Sequence, residues 1–491
     1  MNALAQIGGP LSALGVLGLL LGNGRTLRLA GLGLIVAGGA LVFVPLVPSA
    51  SPAFLAAGAM AGAVVVAALA FAFYRWPWLP PVLALACVAA RLPLKLHGST
   101  YNLLVPLYVV IGAAAVLLAY EVFRGDERAR ELGPIAWPLA AFVTWSSLSL
   151  VWSLDIREGS IYLDAFLLPF TLLAVAFVRL RWSRRLLLGL LAELAGLALL
   201  FTFVGIYQWQ TREIFWNQKL GVSNAYAPFF RVNSVFWDPS VYGRFLAVAM
   251  LGCLVLVIAR VRRPWAVVAT VAIVLLWIGL LLSFSQSSFA ALLAGVVAAA
   301  LVSWRWRAAI PLTIAAVLVA GLGLATPQLR AKLFDKTHGG LNSITSTRAS
   351  LVVRGIRIAL HHPLAGVGVG GFRHAYGDLT GIKGLKLQKV ASHTTPVTVA
   401  AETGVPGLAL YAWLLAVALV AAFQRAGPSF SGRVQLVCAV ALVSIAVHSL
   451  FYASFFEDPM VWGFLAIAVG ASTELAREAP PPGPAASSVQ A

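Results

Sequence analysis

Apolar runs of roughly bilayer length recur from one end of this chain of 491 residues to the other. A helix that crosses a bilayer needs about 20 consecutive, mostly apolar residues. Hydrophobic residues make up 60% of the sequence and charged residues only 11%, which is too little charge to cover a soluble domain of this length. The sequence therefore predicts an all-α polytopic membrane protein.

The hydropathy pattern predicts about 12–15 transmembrane helices and one large outward-facing loop. Arg91 and Lys95 interrupt one of these segments. The predicted helices cover residues 8–22, 29–47, 54–74, 79–95, 102–120, 134–152, 161–178, 186–206, 240–259, 265–283, 287–303, 308–325, 396–422, 434–453 and 459–475. The expected units are a bundle at 1–325 with an outward loop at 207–239, the large loop at 326–395, C-terminal helices at 396–475 and a disordered cytoplasmic tail at 476–491.

The distribution of the net charge of +18 argues against a nucleic-acid interface. Arginines lie in short clusters between apolar runs, as in cytoplasmic anchors under the positive-inside rule. These clusters contain Arg25 and Arg28, Arg75, Arg124 to Arg130, Arg179 to Arg185, Arg260 to Arg263, Arg305 and Arg307, and Arg425 and Arg433. The alternate connections then face outward, so we expect a multi-pass protein with its functional loops on the outer side of the membrane. Three isolated cysteines indicate neither disulfides nor a metal site.

Two arginines near the outward loop at 207–239 have two interpretations each. Arg231 lies shortly before a helix that begins at Pro239, and Arg244 lies about one turn inside that helix. An arginine in such a place either extends its side chain to the interface or holds a phosphate with its planar set of donors. For Arg231 both interpretations stay open, whereas for Arg244 a structural role is favoured.

The segment 326–395 is too long to be only a connection. Arg348, Arg354 and Arg357 recur at helical spacing and predict an amphipathic helix at 343–361. Such a helix either binds anionic headgroups or brings an arginine to the pyrophosphate of a lipid-linked substrate. The glycines of residues 362–372 indicate a tight turn packed on the bundle rather than a nucleotide-binding loop.

Two further ionisable residues follow the glycine turn. His393 precedes a helix that begins near Thr394, a position suited to proton transfer but also to a solvated cap. Glu402 lies inside the predicted membrane helix, and a carboxylate there has either a functional or a structural role.

The ordered set of Arg348, the segment His362 to Phe372, Tyr376, His393-Thr394 and Glu402 to Gly407 resembles the O-antigen ligase and O-antigen polymerase (Wzy-type) superfamily of bacterial membrane glycosyltransferases. The resemblance implies a GT-C-like fold that needs no cofactor, no metal and no nucleotide sugar. It also implies transfer of a glycan from undecaprenyl pyrophosphate to an acceptor hydroxyl on the outer, periplasmic side of the cytoplasmic (inner) membrane, with His393 as general base and arginines on the pyrophosphate.

The sequence departs from the family pattern at two places. Where the family commonly has Ser-Arg-Gly, this chain has Ser285-Gln286-Ser287, so Arg231 becomes a candidate substitute and Arg348 a second contact. The usual His-Asn is His393-Thr394. Glu402, Tyr376 and Gln286 are then supporting residues. The partners implied are the lipid-linked glycan, a glycan or lipid acceptor and the bilayer.

The resemblance leaves the acceptor open among those of a ligase, a polymerase and a protein O-oligosaccharyltransferase. A different class, a polysaccharide transporter or lipid flippase without transferase activity, would need charged residues or broken helices near the bilayer midplane. A third possibility is a structural partner in an envelope-assembly complex.

Overall fold

The computed structural model describes residues 2–47, 51–96, 99–125, 132–215, 217–226, 229–304, 307, 348–384, 387, 390 and 392–477. Within these residues, 12 helices are long and apolar enough to cross a membrane, and a shorter apolar helix covers Pro459–Ala471. The predicted all-α polytopic fold is confirmed. The predicted helix at 308–325, the residues 326–347 of the large loop and the tail from 478 onward lie outside the described residues.

The helices follow one another along the chain with short connections. The first half contains α1 (Asn2–Leu21), α2 (Arg25–Phe43), α3 (Pro52–Arg75), α4 (Leu79–Ala86), α5 (Val105–Phe123), α6 (Ala136–Leu148), α7 (Ile156–Tyr162), which continues through a π-helical turn into α8 (Leu168–Val178), and α9 (Arg184–Thr211). The second half contains α10 (Gln218–Tyr226), α11 (Pro239–Ile258), α12 (Arg263–Ser283), α13 (Gln286–Trp304), α14 (Arg348–His361), α15 (Phe372–Thr380), α16 (Thr395–Arg425), α17 (Phe430–Ser449) and α18 (Pro459–Arg477).

The prediction of one helix at 79–95 is wrong. Helix α4 ends at Ala86, and the chain then forms a hairpin of two antiparallel strands, β1 (Leu92–Leu96) and β2 (Ser99–Leu103). The Arg91 guanidinium donates to the carbonyl of Asn102 at 3.3 Å. A polar side chain that would be costly inside a membrane helix therefore binds backbone at the edge of a hairpin.

The two ends of the bundle differ in composition. At one end α3 finishes at Arg75, α9 begins at Arg184 and α12 begins at Arg263; we call it the arginine-rich end. At the other end α16 begins at Thr395, two residues after His393; we call it the His393 end. The predicted site residues are at the His393 end, together with the starts of α11 and α18.

Candidate functional site

The glycine-rich turn docks on a break in helix α16. Gly404 has φ 70° and ψ −171°, which interrupts the helical hydrogen-bond ladder. The amides of Val367 and Gly368 donate to the carbonyls of Ala401 and Glu402, at 2.9 and 2.8 Å. Across the same junction, the Val405 amide donates to the Pro363 carbonyl at 2.7 Å. Backbone of the loop therefore supplies partners that the broken helix lacks.

This docking requires glycine on both sides. Gly366 has φ 66°, and a Cβ atom there would lie 2.3 Å from the carbonyl carbon of Glu402. The backbone angles of Gly404 fall in a region that only glycine adopts readily. Two indoles complete the junction, since Trp145 donates to the Thr403 carbonyl at 2.8 Å and Trp152 donates to the Ala365 carbonyl at 3.0 Å. The predicted tight turn is thus packed directly on the bundle.

Glu402 lies beneath this turn and lines a small cavity. Its carboxylate accepts a hydrogen bond from the Phe372 amide at 3.3 Å. The cavity, of about 40 Å³, is also lined by Tyr162, Thr395 and a second carboxylate, Glu457. Burial raises the pKa of the Glu457 carboxyl, against the opposing effect of nearby arginines. The cavity is therefore lined by two carboxyl groups, of which sequence analysis had singled out only Glu402.

His393 occupies a strained turn immediately before α16. Its φ of 58° is in the left-handed region, which is uncommon for a residue with a side chain. The neighbouring Ser392 and Thr394 are buried, and the Ser392 hydroxyl donates to the Thr394 carbonyl at 2.9 Å. The His393 side chain itself is half-buried. The turn thus fixes the backbone of a histidine that keeps partial access to solvent, and strain of this kind is concentrated at functional sites.

A buried ion pair lies next to the His393 turn. Arg244 and Asp458 meet at 2.8 Å, with side chains only 2% and 5% exposed. Arg244 also donates to the Ser454 hydroxyl at 2.7 Å. The amide of the next residue, Phe455, donates to the Thr395 hydroxyl at 3.4 Å, so the ion pair and the His393 turn share one loop.

His448 connects this ion pair to a group of buried serines. Its Nδ1 lies 3.4 Å from the Arg244 guanidinium, and its Nε2 lies 3.1 Å from the Ser240 carbonyl. A guanidinium only donates and a carbonyl only accepts, so a neutral imidazole with its proton on Nε2 satisfies both contacts. Nε2 is also 3.2 Å from the hydroxyl of Ser287, which contacts Ser285 at 3.1 Å.

Arg231 reaches the same polar region from the opposite side. Its Nε donates to the carbonyl of Ser283, the last residue of α12, at 3.1 Å. Ser283 is followed closely by Ser285, whose amide donates to the Ser283 hydroxyl. The Gln286 side chain, where the family commonly has arginine, is exposed beside it. Residues in contact therefore lead from Arg231 through His448 and Arg244 to the turn that contains His393.

The remaining predicted residues, Arg348 and Tyr376, belong to α14 and α15. Arg348 begins α14, and its side chain lies outside the described residues; the residues 343–347 of the predicted helix do so too. The Arg354 guanidinium donates to the hydroxyl of the buried Tyr376 at 2.8 Å. Helix α14 packs on the first turn of α16, where Gly355 approaches Val397 closely. Tyr376 therefore supports the position of α14 beside His393.

Sequence reasoning missed His448 and the partner of Arg244. An arginine inside a membrane helix needs a counter-charge, and the acidic turn at Glu457 and Asp458 is one of the alternate connections that the charge pattern places on the outward side. These two facts together could have indicated the pair. His448 gave no such signal, because it stands alone in the apolar sequence of α17.

A protein-family model described as O-antigen ligase matches residues 271–412. The resemblance to the O-antigen ligase and polymerase superfamily is confirmed. The matched O-antigen ligase segment, less than a third of the chain, runs from within α12 to within α16 and contains Gln286, the glycine-rich turn, His393 and Glu402. Arg231, Arg244, His448 and Asp458 lie outside it. No curated protein matches the chain. The O-antigen ligase match supports a multi-pass, ligase-like membrane glycosyltransferase.

Proposed function

We propose that this chain transfers a saccharide from an undecaprenyl-pyrophosphate donor to an acceptor hydroxyl at the His393 end of the bundle. The observation that carries the proposal is the left-handed turn at His393, which is half-buried and tied through Thr395 to the loop of the Arg244 ion pair. His393 also lies within the matched O-antigen ligase segment. A catalytic base must be held in place and still meet its substrate, and this turn satisfies both needs.

In the proposed reaction the His393 imidazole takes the proton of the acceptor hydroxyl. The acceptor oxygen forms a bond to the anomeric carbon of the donor while the bond from that carbon to the pyrophosphate oxygen breaks. The pyrophosphate leaves with the electron pair, the configuration at the anomeric carbon inverts, and the proton stays on His393. In this proposal no metal is needed, because the guanidinium groups that hold the leaving pyrophosphate provide the electrostatic stabilisation.

Arg231 and Arg348 are the proposed ligands of the pyrophosphate. Arg231 is half-buried at the end of α12, beside the exposed Gln286, so its guanidinium can compensate for the missing family arginine. Arg244 is committed to Asp458 by a buried ion pair, and we assign it to holding the loop that contacts Thr395. Glu402 and Tyr376 are assigned to positioning the glycine turn and α14.

One observation favours the transporter alternative. Helix α16 is broken at Gly404 inside an apolar span, and broken helices are a feature of transporter sites. Two of the carbonyls at this break, those of Ala401 and Glu402, already accept amides of the glycine turn. Since those carbonyls have partners, the break serves the docking of the loop, and we place the transferase first.

The proposed function is tested with purified protein in nanodiscs, a defined undecaprenyl-pyrophosphate glycan and mass analysis of the products. A lengthened lipid-linked glycan would identify a polymerase, and a glycan on a separate acceptor would identify a ligase or protein glycosyltransferase. Movement of intact donor across the bilayer without transfer would refute the transferase in favour of the transporter.

The base is tested with two histidine variants. His393→Ala should lose transfer while the protein keeps its elution profile and melting temperature. The matched control is His361→Ala, because His361 is exposed at the end of α14 and has no assigned role in the reaction. Full transfer by folded His393→Ala would remove the general-base role.

A further inference from the structure

A large apolar cavity extends from the arginine-rich end of the bundle to the start of α18. It measures about 220 Å³ and is enclosed by α4, α9, α17 and α18 together with the end of α11. Its walls are mainly leucine, valine and phenylalanine side chains. Among the described residues that line it, the charged ones are Arg184 and Arg433.

The two arginines line the same end of the cavity, which we call its mouth. Arg184 is the first residue of α9 and Arg433 lies in the first turn of α17. The Arg184 guanidinium lies 5.0 Å from the centre of the Phe430 ring, which also lines the cavity. The amino ends of both helices add partial positive charge at this point. The mouth is therefore basic.

The cavity becomes apolar with depth. Along α9 it is lined successively by Leu187, Leu191 and Leu194, and its far end reaches Pro459 and Met460 at the start of α18. Apolar cavities of this kind are poorly filled by water and accept apolar ligands. The basic mouth and the apolar interior of the cavity together match a molecule with an anionic head and a hydrocarbon tail.

We propose that this cavity binds an anionic phospholipid from the leaflet at the arginine-rich end. Its phosphate lies against Arg184 and Arg433, and one acyl chain extends between α9 and α17 towards Met460. Guanidinium groups suit phosphate oxygens because their donors are planar and paired. The charge complementarity is with a headgroup at this end, whereas the pyrophosphate of the proposed donor belongs at the His393 end, so the site is separate from the proposed reaction.

The end of the cavity at Pro459 and Met460 lets a bound lipid support the start of α18. Pro459 and Met460 follow Asp458 directly, and the Asp458 carboxylate accepts from the Met460 amide at 2.9 Å as well as pairing with Arg244. An acyl chain at that depth packs beneath the first turn of α18. The lipid thus supports the element that presents the counter-ion of Arg244.

The test is a titration of delipidated protein with phosphatidylglycerol or phosphatidylcholine, followed by native mass spectrometry. Wild-type protein should retain phosphatidylglycerol preferentially. The variant Arg184→Gln/Arg433→Gln should bind it about thirtyfold more weakly, since each basic residue near an anionic lipid contributes about a factor of five. The matched control is Arg262→Gln/Arg263→Gln, because Arg262 and Arg263 are exposed at the same end and do not line the cavity.

A second variant, Leu191→Trp, fills the cavity without changing charge and should reduce retention of the lipid as well. Equal retention of the two lipids by wild-type protein would overturn the proposal. Equal losses in the two arginine pairs would also overturn it, because the arginines would then attract lipid only as general surface charge. Neither outcome depends on transfer activity, so it leaves the proposed function untouched.

Discussion

The ion pair between Arg244 and Asp458 gives the sharpest prediction for stability. Asp458→Asn preserves the shape of the side chain and its capping of α18, because asparagine accepts from the Met460 amide as well as aspartate does. It removes the charge that faces Arg244 at 2.8 Å, where both side chains are at most 5% exposed. An uncompensated buried charge costs about 3–5 kcal/mol, so Asp458→Asn should lower the free energy of unfolding by about that amount.

The assay is denaturant unfolding in a fixed detergent, followed by tryptophan fluorescence. The surface control Asp378→Asn, at an exposed position of α15, should change the free energy of unfolding by less than about 0.5 kcal/mol. The double variant Arg244→Met/Asp458→Asn should be more stable than Asp458→Asn, since no buried charge remains. Additive losses in the double variant would refute the reasoning, because they would show that the two side chains are not coupled.

Three further predictions concern the loop and the hairpin. Gly404→Ala should cost about 1–3 kcal/mol of stability because its backbone angles suit only glycine; an unchanged unfolding midpoint would contradict this. Trp145→Phe should cost about 1–3 kcal/mol, since the Thr403 carbonyl loses its donor, and the same denaturant titration measures it. Burial and the Glu158 carboxylate raise the pKa of Tyr101 to about 12, so stability from the neutral phenol is present below its ordinary pKa of about 10 and is lost as the pH rises through about 12. The difference in tyrosinate absorbance between the wild-type protein and Tyr101→Phe should follow this titration. A midpoint near pH 10 would disprove the raised pKa of Tyr101.

The membrane helices could be predicted from the sequence because bilayer thickness translates directly into the length of an apolar run. The same criterion failed at 79–95, where the apolar run has the length of a membrane helix. The chain instead forms a hairpin, whose backbone binds Arg91, and hydropathy does not report such a hairpin. The break in α16 could not be predicted either. The carbonyls at the break accept hydrogen bonds from amides of a loop that precedes them in sequence by more than thirty residues. Local conformational preferences cannot indicate a partner that lies so far away in the sequence.

For the candidate site, sequence reasoning singled out Glu402 because a carboxylate inside a membrane helix is costly, and its role stays a prediction. His393 and Arg231 were singled out because each lies shortly before a predicted helix on the outward side, and the structure places the surroundings of all three residues at the same end of the bundle. The contact between Arg244 and Ser454 joins residues separated by 210 positions. Such pairs depend on how helices are arranged in the bundle, which the pattern along one helix does not specify.

The backbone hydrogen bonds between the glycine turn and α16 also allow the opening rate of this loop to be measured by hydrogen exchange. The amides of Val367, Gly368 and Val405 exchange their hydrogens with solvent only when this junction opens. If the turn lifts as one unit, the three amides exchange at a common rate, and a substrate that holds the turn closed slows all three equally. Deuterium uptake at these three positions therefore measures how often the glycine turn detaches from α16. The measurement needs no label on the donor or the acceptor.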